Sequence, residues 1–242
     1  MKIGGFLPFT LADFPGHTAA IVFAQGCNFR CPFCHNGELL PDGPGRIPEA
    51  EVLRRLEGRA GRLGGVVLSG GEPTLQADLP DFCATLKRLG FAVKLDTNGS
   101  RPAVLRQLLA SGLLDAVALD VKAPPRAYRR LSGVPTAWPL VQQSLEVLAG
   151  SKVSVTFRTT VVPTLLKERD LAEIAALLPA GTTHVRQPFR PEHALDPALR
   201  HPAAAAAGRP AAFLPVRPAY AEHLPVAPPN PRDGARPSRG GR

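Results

Sequence analysis

Ala19-Ala20-Ile21-Val22-Phe23 leads, after Ala24, into Gln25-Gly26-Cys27-Asn28-Phe29-Arg30-Cys31-Pro32-Phe33-Cys34-His35-Asn36, and the join between the two decides the fold. The first five residues form a continuous apolar run of strand length that stops at Gly26. Three of the four cysteines in the 242-residue chain follow within eight positions. A buried strand therefore delivers a thiol-rich loop at its carboxyl end. Thiolates at this density suit a thiophilic metal centre, and the C-x3-C-x2-C spacing leaves such a centre one ligand short.

Three readings of the thiols compete. A structural zinc site wants four closed ligands, but the remaining cysteine, Cys83, lies far downstream in a helical pattern, and His35 is adjacent to Cys34 and poorly placed to share its ion. A disulfide framework needs paired cysteines and an oxidising compartment. The third reading is an iron-sulfur cluster with one iron open to a small ligand, the counterpart of the vacant position on a catalytic zinc. The spacing favours the open cluster, with zinc as the alternative.

Outward from the loop, apolar runs alternate with helical patterns. Pro48, with Glu49 and Glu51 in the first turn, opens a helix. Val66-Val67-Leu68 is a strand closed by Ser69-Gly70-Gly71-Glu72-Pro73. A helix from about 78 to 89 precedes the strand Ala92 to Leu95, which ends in Asp96-Thr97-Asn98-Gly99. A helix from about 102 to 110 precedes Ala116 to Leu119, which ends in Asp120-Val121-Lys122. A helix from about 139 to 149, the strand Ser154 to Val161, a helix from about 168 to 178 and a short strand at 183 to 187 complete the series. About six parallel βα units predict an α/β fold, a partial (β/α)6 barrel rather than the full eight. The polar motifs all fall just past strand ends, where such folds bind ligands.

The domain is expected over residues 1–194. Ten of 27 prolines lie after Leu195, so 195–242 reads as a Pro-, Ala- and Arg-rich disordered tail unable to bury enough apolar surface to offset chain entropy. The formal charge of +9 divides into +5 before residue 195 and +4 after it. Without basic-aromatic interleaving, nucleic acid is not the expected partner. The N-terminus, broken by Gly and Pro, lacks a signal-peptide core, and no run approaches the ~20 apolar residues of a membrane span. Clustered, unpaired cysteines suit a reducing, cytoplasmic setting.

The pattern C-x3-C-x-aromatic-C followed by His-Asn resembles the signature of the radical S-adenosylmethionine (radical SAM) enzymes. Asp13-Phe14-Pro15-Gly16, a strand, then Gln25-Gly26-Cys27 resembles the glycyl-radical activating branch, in particular the activating proteins of anaerobic ribonucleoside-triphosphate reductase. Many relatives follow Pro-Gly with Ile or Val and Arg, where this chain has His17-Thr18. The resemblance covers about residues 1–190 and implies one 4Fe-4S cluster on Cys27, Cys31 and Cys34, with S-adenosylmethionine on the open iron. It implies that Gly70, Gly71, Glu72 and Pro73 receive the methionine amino group, with Glu72 as acceptor. It also implies that Asp96, Thr97, Asn98, Asp120 and Lys122 line the cofactor site and that a monovalent cation can sit on their oxygens. Phe33 and His35 would lie within reach of the adenine. No general base is required, because a carbon radical abstracts a hydrogen atom. The implied partners are a large glycyl-radical enzyme and an external one-electron donor such as flavodoxin or ferredoxin. A radical SAM enzyme acting on a small molecule or peptide is the alternative within the family. A zinc or nucleic-acid binding module is the alternative outside it.

Each assignment has a plainer counterpart. A Gly-Gly turn closes many strands, and Asp96 to Gly99 has the composition of an Asx turn. Arg158 and Thr160 alternate onto one strand face, which points inward in any barrel, so contact with the ribose and simple packing both stay open. Cys83 shares helical spacing with Leu79, Phe82 and Leu86 and reads as a small core residue. Arg126, Arg129 and Arg130 read as a solvated face, or as a rim that docks a partner protein.

Overall fold

A computed structural model describes residues 1–200. The strand β2 (Ala19–Ala24) is buried along its whole length, as a strand covered on both faces must be. It is followed in sequence order by β3 (Gly65–Gly70), β4 (Ala92–Thr97), β5 (Ala116–Asp120), β6 (Ser154–Val161) and β7 (Thr183–Pro188), each parallel to the last. The helices α1 (Glu49–Glu57), α2 (Leu79–Arg88), α3 (Pro102–Ala110), α4 (Pro125–Ser132), α5 (Ala137–Ala149) and α6 (Glu168–Leu177) supply the crossovers. Six parallel strands in sequential order make the expected partial barrel.

Two elements exceed the sequence reading. The N-terminal segment, interrupted by Gly4, Gly5 and Pro8, is a strand, β1 (Ile3–Thr10), which pairs antiparallel with β2 and forms the sheet edge. The Asp13-Phe14-Pro15-Gly16 motif lies in the turn between them. Phe14 is buried there, its ring 4.4 Å from that of His17. The second is α4, whose Ala127, Tyr128 and Leu131 turn inward while its arginines stay outside.

The alternation of strand side chains sorts the sheet into two faces. Val22, Leu68, Leu95, Leu119 and Phe157 belong to the apolar core, together with the inward residues of the helices, including Cys83 with Phe82 and Leu86 on α2. The intervening positions Ser69, Lys94, Asp96, Asp120 and Arg158 occupy the other face. Packed chain continues beyond the expected boundary at 194: Leu199 is buried and the Asp196 amide donates to the Pro32 carbonyl at 2.8 Å. The rest of the expected tail, 201–242, lies outside the described residues. Among the described residues, no helix is long and apolar enough to cross a membrane.

Candidate functional site

The cysteine loop leaves the carboxyl end of β2 and is shaped by its own alternation of aromatic and thiol residues. Phe29 and Phe33 are buried in the core, which anchors the loop and leaves Cys27 and Cys34 half-buried with Cys31 below them. The Phe33 ring thus packs in the core, beside the thiols rather than in solvent. Backbone bonds fix both flanks: the Gly26 and Cys27 amides donate to the Leu39 and Leu40 carbonyls at 2.8 and 3.1 Å, and the Arg30 amide donates to the Ser132 carbonyl at 2.8 Å. That last contact needs Gly133 after α4, at φ +73°, because a Cβ there would lie 2.8 Å from the Arg30 carbonyl oxygen.

All three thiols are free. Burial pushes Cys27 up to about 11 and Cys31 up to about 12, while the Lys122 ammonium pulls both down. The neighbouring thiols also act on them: Cys34 raises Cys27, and Cys34 and Cys27 raise Cys31. Metal binding to such thiols displaces their protons, and Lys122 favours that exchange. Among the described residues no three His, Cys, Asp or Glu side chains converge as a single ion would need. Three free thiols on one short loop, with the Lys122 charge acting on two of them, are a donor set that fits an iron-sulfur cluster.

Gly70-Gly71-Glu72-Pro73 lies beside this loop. Gly70 has φ +108°, and a Cβ on Gly71 would lie 2.1 Å from the Gly26 carbonyl oxygen, so these glycines bring one loop backbone onto another. The Gly71 amide donates to the Ala24 carbonyl at 3.0 Å and the Glu72 amide to that of Gly26 at 2.9 Å. Glu72 is 0% exposed. Its carboxylate accepts from the Thr74 amide and hydroxyl, from Thr97 Oγ1 at 2.7 Å and from the Asn98 amide at 2.7 Å. Burial raises its pKa against the pull of those donors. Within the chain this carboxylate ties the loop after β3 to the loop after β4. Pro73, buried, starts a short 3-10 turn behind it.

The loop after β4 completes the lacing. Asn98 Nδ2 donates to Asn28 Oδ1 at 3.0 Å and lies 4.0 Å from the Cys27 sulfur, and Asn28 in turn donates to Ser100 Oγ at 2.9 Å. Thr97, buried, is occupied by Glu72 and by the Gly99 amide.

Asp96 and Asp120 belong to a charged chain across the sheet. Lys94 Nζ lies 2.5 Å from Asp96, Arg158 bridges Asp96 at 2.9 Å and Asp120 at 2.8 Å, and Lys122 Nζ lies 3.5 Å from Asp120. Burial pushes the Asp120 carboxyl up, but Arg158 and Lys122 outweigh it and hold the group below its ordinary range. Lys122 and Arg158 are both raised: burial works against their charge, and the carboxylates overcome it. The expected monovalent cation finds these oxygens already bonded to protein cations. Lys94 escaped the sequence reading. The signal was there, since a lysine between Val93 and Leu95 in a buried strand must have a partner. Arg158, weighed for the ribose, joins the two aspartates.

His35 turns to the segment after β7. Its Nε2 donates to the Arg190 carbonyl, and its ring sits edge-on to Phe189 and His193. Burial lowers its pKa. Arg126 pairs with Asp170 and Glu173 on α6, and Arg130 donates to the Leu165 carbonyl at 3.0 Å. Two of the three candidate docking arginines thus secure neighbouring elements, while Arg129 lies exposed on α4.

With this geometry in view, residues 21–178 match the family model described as the radical SAM superfamily. A Methanocaldococcus jannaschii protein, named as a candidate glycyl-radical enzyme activating enzyme, is 30% identical over 80% of this chain and 82% of its own length. The pyruvate formate-lyase 1-activating enzyme of Escherichia coli K12 is 33% identical over 67% of this chain and 68% of its own. Among solved structures, Streptococcus suis SuiB bound to S-adenosylmethionine shares the fold with a TM-score of 0.51. It is 19% identical over 65% of this chain and 36% of that one.

Proposed function

The chain belongs to the radical SAM superfamily, and on that premise we propose that it activates a glycyl-radical enzyme, with anaerobic ribonucleoside-triphosphate reductase as the partner. Cys27, Cys31 and Cys34 would hold a 4Fe-4S cluster, with S-adenosylmethionine as its co-substrate. When bound, the pair supplies one-electron cleavage of the sulfonium to methionine and a 5′-deoxyadenosyl radical, which removes a hydrogen atom from a backbone glycine of the partner.

The chain's own residues prepare that chemistry. Phe29 and Phe33 fix the loop that carries the thiols. Lys122 supplies positive charge beside Cys27 and Cys31 and favours the thiolate form needed for ligation. Glu72 and Asn98 hold the loops after β3 and β4 against the cysteine loop, so that the site keeps one shape before anything enters it. An external flavodoxin or ferredoxin would deliver the electron, in a reducing cytoplasmic setting where three free thiols persist.

The observation that carries the reading is the meeting of the cysteine loop, the Gly-Gly-Glu loop and the Asp-Thr-Asn loop at the carboxyl ends of β2, β3 and β4. Support for the partner class comes from the relatives named as activating enzymes. The reductase itself is supported by the Asp13 to Gly16 and Gln25 to Cys27 motifs alone. The Escherichia coli relative favours a second partner, a glycyl-radical enzyme of the pyruvate formate-lyase kind.

The test mixes anaerobic, reduced protein, S-adenosylmethionine and each candidate partner in turn, and reads the glycyl radical by electron paramagnetic resonance. A doublet on the reductase is expected. A doublet only on the lyase reassigns the partner. Cleavage of S-adenosylmethionine with a radical on neither protein favours action on a small molecule or peptide, and one zinc with no iron returns the chain to a binding module.

A further inference from the structure

Three cations and two carboxylates alternate along the polar face of the sheet in the order Lys94, Asp96, Arg158, Asp120, Lys122. The register explains the arrangement. Asp120 on β5 pairs directly with Arg158 on β6, and Lys94 and Asp96 project from the same face of β4. Side-chain exposures of 7% for Lys94, 9% for Asp96 and 17% for Arg158 place most of this chain away from bulk water.

A hard monovalent cation would need these oxygens free. Asp96 Oδ1 accepts from Lys94, and its Oδ2 accepts from Arg158 at 2.9 Å and from Ser69 at 3.3 Å. Asp120 Oδ1 accepts from Arg158 Nε at 2.8 Å, and its Oδ2 from Lys122. The row already carries one positive charge more than negative. A bound ion would add a further positive charge among two carboxylates in a medium where Coulomb terms are poorly screened.

We propose that the Arg158 guanidinium is the resident cation of this site, linking Asp96 to Asp120 and making the protein independent of a bound sodium or potassium ion. Arg158 acts here as a positioning residue. It holds the two carboxylates in register across β4, β5 and β6, and through Asp120 it ties down Lys122, the cation whose charge acts on Cys27 and Cys31. A guanidinium suits this task because its planar fork can bond two carboxylates in different directions, which an ammonium does less well. The inference concerns ion binding by the folded chain and stands whichever partner enzyme is found.

The test uses cluster-loaded, full-length protein handled without oxygen, melted in potassium, sodium or choline chloride at equal ionic strength. An ion held at a hundred times its Kd would raise the midpoint by roughly 5–10 °C. Wild-type protein is expected to melt at the same temperature, within about 1 °C, in all three salts. Arg158→Met, which removes the guanidinium from one oxygen of each aspartate and leaves Asp96 Oδ2 with Ser69 alone, is expected to melt lower in choline and to regain several degrees in potassium or sodium. A wild-type midpoint that rises in either salt would overturn the proposal. So would an Arg158→Met protein that folds and ignores the salt. Should that variant fail to fold, sodium-23 line broadening on the wild type decides the matter: no saturable sodium site supports a resident guanidinium, and a saturable one removed by competing potassium refutes it.

Discussion

The two faces of the sheet are built from the same strands under opposite rules. On β4, Val93 and Leu95 enter the apolar core, while Lys94 and Asp96 take the other face and join a five-membered row of charges. The apolar face asks only for volume and hydrophobicity, so its residues are interchangeable within limits. The charged face asks each group for a named partner, because a charge left alone there is costly. One face therefore stabilises the barrel, and the other fixes the geometry of the loops that leave it.

The comparison can be broken at several depths. Cys31→Ala, at the loop the polar face serves, is expected to reduce cluster iron from about four atoms to background and to abolish reductive cleavage of S-adenosylmethionine, read as 5′-deoxyadenosine formed. Retained cleavage would sink the ligand assignment. Next, Asp96→Asn keeps the shape but removes the negative charge between Lys94 and Arg158. A loss of about 3–5 kcal/mol in denaturant unfolding is expected. On the apolar face an equally conservative change, Leu95→Met, should cost about 1 kcal/mol. Equal losses for these two variants would erase the distinction between the faces. At the surface, Lys87 grips Asp115 at 2.8 Å with both side chains about a third exposed. Lys87→Ala should move stability by roughly 0–1 kcal/mol, and less in high salt.

How far the molecule was legible from its residues follows the same division. The parallel strands announced themselves as apolar runs, and the alternation with helices was enough to place every polar motif at one edge. β1 did not announce itself, because Gly4, Gly5 and Pro8 interrupt it and its place at the sheet edge tolerates them. The site was legible as a set of loops, less so as a set of bonds. Glu72 could be placed beside the cysteines, yet its partners come from the loop after β4, and no local pattern encodes that Thr97 and Asn98 will reach it. His35 was drawn toward the cofactor by its neighbour Cys34, and no local pattern showed that its ring also bonds a carbonyl 155 residues away. The ion pairs of Arg158 were hidden for a simpler reason: strand alternation gives the face a side chain takes, and only the register tells which side chains stand across from it.

The attachment of the cysteine loop to the segment after β7 bears on how the protein is born. A ribosome adding roughly 5–20 residues per second needs about 8–30 s to travel from His35 to Arg190. Throughout that interval the nascent chain carries three thiols whose final clasp, including the bond from Asp196 to Pro32, has yet to be synthesised. The loop therefore reaches its final clasped shape only once Asp196, late in the chain, has been synthesised.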